Sequence, residues 1–224
     1  MPTPVTITLD DGASVSGLLQ TPPQARACTV LAHGAGAGMT HPFMTAVALG
    51  LAERGIATLR YQFLYMERGS KRPDPPKLAH AAVRAAVAEA AKRLPKLPLV
   101  AGGKSFGGRM TSQAQAATPL PGVLGLAFLG FPLHPAKQPS RERGRHLAEV
   151  KIPMLFLQGT RDALASRDEI EPLCQELGAR ASLRLFEDAD HSFHVPARSG
   201  RKDTEVMSEM LDTFAAWADG VIAR

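Results

Sequence analysis

An α/β architecture, in which an antiparallel hairpin leads into a mainly parallel sheet, is the fold class this sequence predicts, and three observations carry that expectation. Val5 to Leu9 and Ser14 to Leu19 alternate apolar and polar residues on either side of Asp10-Asp11-Gly12, as two antiparallel strands joined by a tight turn would. Beyond Pro22-Pro23 the pattern changes to short apolar runs separated by longer segments of helical period. Strands alternating with helices imply crossover connections and a parallel sheet. The chain has 224 residues, 45% of them hydrophobic, enough for one sizeable core, so one domain spanning residues 1–224 is expected.

The parallel strands are expected at Cys28 to Ala32, Ile56 to Leu59, Leu97 to Gly102, Gly125 to Leu129, Met154 to Leu157 and Leu183 to Phe186. Between and after them, helical spacing covers Pro42 to Arg54, Leu78 to Leu94, Gly107 to Ala117, Ser166 to Leu177 and Asp203 to Ala223. The fourth of these helices has both ends marked: Ser166 and Glu169 have the spacing of a capping box, and Gly178 follows as a C-terminal stop. Phe131 to Val150 is the longest connection without an element of its own, and such loops often carry function.

Lys and Arg number 26 against 21 Asp and Glu, a formal charge of +5, but the basic residues concentrate only between Lys137 and Lys151, without aromatic interleaving. A solvated loop face explains that stretch better than nucleic-acid binding. The N-terminal residues lack the basic start and apolar run of an export signal, and no apolar stretch has the length to span a bilayer. Cys28 and Cys174 cannot form a disulfide framework and read as buried free thiols, so a cytoplasmic location is expected.

Gly103-Lys104-Ser105-Phe106-Gly107 follows an apolar run and precedes a helix, which is the strand-turn-helix setting of a nucleophile elbow. The turn is tight, so the positions two before and two after the serine must be small, and both are glycine. Two nucleotide-binding rivals fail on their own terms. A P-loop would need glycine where Pro98 stands, and the glycine run His33 to Met39 departs from the dinucleotide fingerprint at Met39, with Arg60 closing the next strand where an acid belongs.

A serine hydroxyl needs a base, and the base needs an acid to orient it. His191 stands just after the last strand, where a loop can bend over the sheet edge, with His194 as its near rival. His33 is expected to hold the glycine loop, His80 and His146 to sit on solvated faces, and His41 and His134 to lie on the surface or line a pocket. Asp162 lies just past the penultimate strand, one strand spacing from His191, and is preferred to Asp168 at a helix start and to Asp190 beside the histidine. The third requirement is backbone N–H groups aimed at a developing oxyanion. Phe106 at the elbow and Ala35, or second to it Gly36, in the loop His33-Gly34-Ala35-Gly36 are the candidate donors.

Gly102 to Arg109 together with His33-Gly34-Ala35-Gly36 resembles the α/β-hydrolase superfamily, and within it a small lidless branch related to dienelactone hydrolases. The resemblance extends to the hydrolase-like domains of testis-expressed and NSL-complex-subunit proteins and their bacterial counterparts. It implies helices on both faces of the sheet, no substantial cap, and an ester or related acyl hydrolase with Ser105 as nucleophile, His191 as base and Asp162 as acid. It also implies no cofactor and no metal, and a small-molecule ester as partner. Ser105 stands where dienelactone hydrolases carry cysteine, which argues against lactone specificity. Met39, Phe43, Met110, Phe131 and Phe193 flank the proposed catalytic loops and are the candidate substrate contacts. The competing expectation is a catalytically weak hydrolase-like scaffold whose basic 137–151 loop binds an acidic partner.

Overall fold

A computed structural model describes residues 1–223. The two opening strands, β1 (Thr3–Thr8) and β2 (Ser14–Gln20), pair antiparallel, with Val5, Ile7 and Val15 buried and their neighbours exposed. Then follow β3 (Ala27–Ala32), α1 (Pro42–Glu53), β4 (Ile56–Tyr61), a single-turn α2 (Leu64–Glu67) and α3 (Pro76–Arg93). The second half runs β5 (Leu99–Lys104), α4 (Phe106–Ala117), β6 (Val123–Leu129), β7 (Met154–Gly159), α5 (Arg167–Leu177), β8 (Ala181–Phe186) and α6 (Asp203–Ile222).

The eight strands lie in the order β1-β2-β4-β3-β5-β6-β7-β8. β2 joins β4 antiparallel, and every pairing from β4 to β8 is parallel. β3, β4 and β7 are buried at every position, as strands covered on both faces must be. Two apolar cores result. One places Ala82, Val83, Met110, Ala114, Ile170 and Leu173 of α3, α4 and α5 against one face; the other places Met44, Val47, Met210 and Phe214 of α1 and α6 against the opposite face.

Three features differ from the sequence expectation. β4 runs on through Arg60 and Tyr61, because Arg60 is buried with its guanidinium bonded to the Met39 carbonyl (3.1 Å) and Thr45 Oγ1 (2.9 Å). Helix α2 escapes a periodicity search because one turn is too short to show a period. Between Phe131 and Val150, a run of 3₁₀ turns occupies Glu142–Glu149, and its Leu147 is buried in the core. The capping of α5 agrees with the sequence: the Glu169 carboxylate accepts from the Ser166 N–H and hydroxyl, each at 2.9 Å.

Parallel strands bring their C-terminal ends to one edge of the sheet. Ser105 follows β5, Gly130 follows β6, Asp162 follows β7 and His191 follows β8, so all the loops of interest share that edge. No helix among the described residues is long and apolar enough to cross a membrane.

Candidate active site

Ser105 sits between β5 and α4 with φ 50° and ψ −113°, a backbone conformation that L side chains rarely adopt. The strain is held by close packing beneath it. A Cβ on Gly103 would lie 2.2 Å from the Ala32 carbonyl oxygen of β3, and one on Gly107 would lie 2.6 Å from the same atom. The neighbour is backbone in a central strand and has little room to move. Gly103→Ala is therefore expected to cost about 3 kcal/mol of stability by overpacking. Urea denaturation measures it, and an unchanged midpoint would show that β3 and β5 can part at this point.

The structure brings Ser105, His191 and Asp162 together. His191 Nδ1 lies 2.7 Å from Asp162 Oδ2, and Nε2 lies 2.8 Å from Ser105 Oγ. An ionised carboxylate only accepts, so the proton sits on Nδ1 and the Nε2 lone pair faces the serine hydroxyl. Asp162 is further fixed by Gln158 Nε2, which donates to Oδ2 at 2.6 Å, and by the Leu164 N–H, which donates to Oδ1 at 2.8 Å. Its side chain is sealed at 0% exposure, whereas that of His191 is 24% exposed and reachable from outside.

To reach Ser105 from the end of β8, the His191 loop passes over the end of β6. Gly130 occupies that crossing at φ 72°, and a Cβ there would stand 2.9 Å from Lys104 Nζ and 3.4 Å from the imidazole. Lys104 is the residue that motif reasoning passed over. Its ammonium donates to the His191 carbonyl and lies 5.8 and 5.6 Å from the rings of Phe43 and Phe193, within cation–π range. Burial, the largest influence, brings its pKa down to about 8, while the nearby Asp162 and Asp190 carboxylates oppose that shift.

On the other side of the serine, the glycine loop is pinned at several points. His33 is buried, its Nδ1–H donating to the Gly34 carbonyl (2.7 Å) and its Nε2 accepting from the Phe63 N–H (3.2 Å). The Gly36 N–H donates to Tyr65 Oη at 2.9 Å, and the Met39 N–H to Gln62 Oε1 at 2.8 Å.

An open cleft of about 370 Å³ lies above Ser105, lined by Ala35, Ala37, Phe43, Met44, Leu164 and His191 among others. Of the expected apolar contacts only Phe43 is in this wall. Phe193 is buried behind it with the two rings stacked at 5.9 Å, and Met110 and Phe131 point into the core on the α3–α5 face. Met39 is half-buried and outside the wall. Met44 and Leu164 take the place of these residues.

The rival acids and bases have other partners. Asp190 Oδ1 accepts from the N–H groups of Ser192 (2.7 Å) and His194 (3.0 Å), which shapes the loop that carries His191, and Asp168 is exposed at the start of α5. His194 pairs with Asp203 at 2.9 Å, His134 with Glu169 at 2.8 Å, and His41 caps α1 by accepting from the Phe43 N–H while lining the cleft. His80 and His146 are half-buried, not on open surface as the sequence suggested.

A mostly parallel eight-stranded sheet carrying serine, acid and histidine in that chain order at its C-terminal edge defines the α/β-hydrolase class. Residues 25–219 match the family model described as an alpha/beta hydrolase domain, and the chain belongs to that family. Solved structures with the same fold include a lidless α/β serine hydrolase from Xanthomonas campestris, with 19% identity, a TM-score of 0.76, and coverage of 96% of this chain and 94% of that one. A dienelactone hydrolase from Anabaena variabilis has 21% identity, a TM-score of 0.78 and coverage of 97% and 96%. The esterase domain of a Rhodothermus marinus protein has 16% identity, a TM-score of 0.73 and coverage of 97% and 98%.

Proposed function

We propose that the protein is a serine hydrolase that cleaves carboxyl esters, or related acyl bonds, of small substrates through an acyl-Ser105 intermediate. The observation that carries this reading is the unbroken line Asp162–His191–Ser105, at 2.7 and 2.8 Å, ending at an open cleft. His191 Nε2 takes the hydroxyl proton as Ser105 Oγ attacks the acyl carbon. The resulting imidazolium is stabilised by Asp162 and returns that proton to the leaving alkoxide as the C–O bond breaks. Water then enters and loses a proton to His191 as its oxygen bonds the acyl carbon; the bond from that carbon to Ser105 Oγ breaks, His191 returns the proton to Oγ, and the acid leaves.

The tetrahedral intermediates need donors for their oxyanion. Phe106 opens α4, so its N–H has no acceptor within the helix. Gly36 is already committed to Tyr65, which favours Ala35 as the second donor. Labelling by an active-site serine phosphonate, with the adduct mapped to Ser105 by mass spectrometry, tests the reading. An unlabelled protein would refute it.

Lys104 is proposed as the residue that holds the base's loop. Removing its bond to the His191 carbonyl in Lys104→Met is expected to lower kcat by about 10², the scale of a misplaced catalytic group, with KM little changed. Steady-state kinetics decide the matter, and an unchanged kcat would leave Lys104 without this role.

The cleft is small, about 370 Å³, and left open, and no element between Phe131 and Val150 forms an apolar lid over it. Acetyl to butyryl esters are expected to be turned over faster than decanoyl esters, without activation at an oil–water interface. A p-nitrophenyl ester series measures this, and a preference for decanoyl would overturn it. The scaffold reading has less support, since Arg141 and Arg145 of the basic loop are paired with Glu176 (2.7 Å) and Glu142 (2.8 Å) of the same chain. Both cysteines are buried free thiols, which favours a reducing compartment such as the cytoplasm.

A further inference from the structure

The pairing of Arg141 and Arg145 leaves Arg143 as the exception among the arginines of the basic loop. It is half-buried, and among the described residues it has no carboxylate partner. Arg109 of α4 is in the same state: half-buried, without a carboxylate, its Nε sealed from solvent with no acceptor. Its guanidinium lies 5.9 Å from the Phe106 ring.

Two histidines complete the cluster. Ser112 donates its hydroxyl proton to the Arg109 carbonyl (2.9 Å), so in the 2.7 Å contact with His146 the Nε2–H is the donor. That leaves His146 Nδ1 without a protein partner among the described residues. His80 Nε2 approaches Gln113 Oε1 at 3.4 Å.

These groups sense one another and no acid. Burial is the first cause of the lowered pKa of Arg109, His146 and His80, and the remaining charge effects on them come from Arg143, Arg109, Arg84 and His80. Half-buried cations with no counter-charge are costly to keep. An oxyanion bridging two guanidinium forks would supply the missing acceptors in the geometry arginine prefers.

The backbone ties the cluster to the Ser105 cleft, although none of its side chains is in the cleft wall. Arg109 stands one helical turn after Ser105, its N–H donating to the Ser105 carbonyl at 3.1 Å. The Arg143 N–H donates to Leu133, whose own N–H donates to the carbonyl of Leu164, a residue of the cleft wall.

We propose that Arg109 and Arg143, with the neutral rings of His146 and His80 as neighbours, form an oxyanion-binding subsite one helical turn from the Ser105 elbow that takes a phosphate or carboxylate group. The group is either the anionic arm of an ester substrate or a free ion. The first source rests on the acyl-hydrolase reading; binding of the anion itself does not.

Inorganic phosphate is titrated into the wild-type protein at constant ionic strength, with chloride as the control. The ring protons of His146 and His80 are followed by NMR, with exposed His194 as reference. Saturable shifts at His146 and His80 are expected, with affinity weakened at least about tenfold, roughly the loss of one charge-assisted contact, in Arg109→Leu and in Arg143→Leu. Arg141→Leu should bind as wild type does. Shifts no larger than with chloride, or equal in the two variants and wild type, overturn the subsite. Arg143 lies on a surface connection, so its variant keeps the test valid if Arg109→Leu fails to fold.

Turnover of a nitrophenyl hemisuccinate and a nitrophenyl butyrate then separates the sources. Selective loss of the hemisuccinate in the two variants assigns the subsite to a substrate arm. An unchanged ratio alongside phosphate binding assigns it to a free ion. A wild-type protein that binds phosphate but turns over neither ester would retain the subsite and reject the hydrolase reading.

Discussion

Ser105→Ala is expected to abolish ester turnover, by a factor on the order of 10⁶ in kcat, while leaving the fold intact, because nucleophile and base act as one unit. Alanine keeps a Cβ at φ 50°, so the strained elbow changes little and the thermal midpoint should stay near that of the wild type. What is lost is the oxygen 2.8 Å from His191 Nε2. With no hydroxyl to activate, the imidazole can at best position water, and residual activity reflects the oxyanion donors and binding alone. His191→Ala should fall to a comparable level, since removing either member of the pair removes the function of both. The measurement is kcat on an acetyl or butyryl nitrophenyl ester, using protein purified away from host esterases and checked by circular dichroism. Wild-type turnover in folded Ser105→Ala protein would move the chemistry to another residue.

How far this site could be read from sequence depends on whether each part is local. The elbow was legible because its constraint is local: Gly103 and Gly107 must be small where β5 bends over β3 into α4, and both lie within two residues of Ser105. The parallel strands were legible because burial on both faces leaves uninterrupted apolar runs such as Met154 to Leu157. Chain order and strand spacing also sufficed to single out Asp162 and His191 as candidates. The cleft walls were not legible, because nearness along the chain does not set side-chain direction. Met110 follows the elbow closely but lies on the face of α4 that packs into the core, and Phe131 turns toward Phe128 and Phe156. Lys104 reads as a spacer inside the motif until Gly130, Phe43 and Phe193 are brought around it from three other parts of the chain. The same holds for Arg109, Arg143, His146 and His80, whose lack of counter-charge becomes visible only once α3, α4 and the 131–150 connection meet.

Asp162→Asn is the second large loss expected, about 10⁴ in kcat, and it follows from counting donors around one buried side chain. Asp162 receives three: Gln158 Nε2–H, His191 Nδ1–H and the Leu164 N–H. Only a carboxylate can accept from all of them. Asparagine has one acceptor oxygen. If that oxygen faces Leu164, the amide NH₂ is turned toward Gln158 and His191, which forces the imidazole to accept at Nδ1 and to carry its proton on Nε2. That tautomer presents a hydrogen to Ser105 Oγ where a lone pair is needed. If the oxygen faces His191 instead, the Leu164 N–H is opposed by a donor and the turn after β7 is disturbed. Either way a buried donor is left unsatisfied, so a stability loss of about 1–3 kcal/mol should accompany the kinetic defect. Two control variants separate acid from bystander. Asp168→Asn, at an exposed helix start, should behave as wild type. Asp190→Asn should be mild, because an amide oxygen can still accept from the Ser192 and His194 N–H groups. Comparing kcat and urea midpoints across the three variants decides the assignment: an active Asp162→Asn protein beside an inactive Asp190→Asn protein would transfer the acid's role to Asp190.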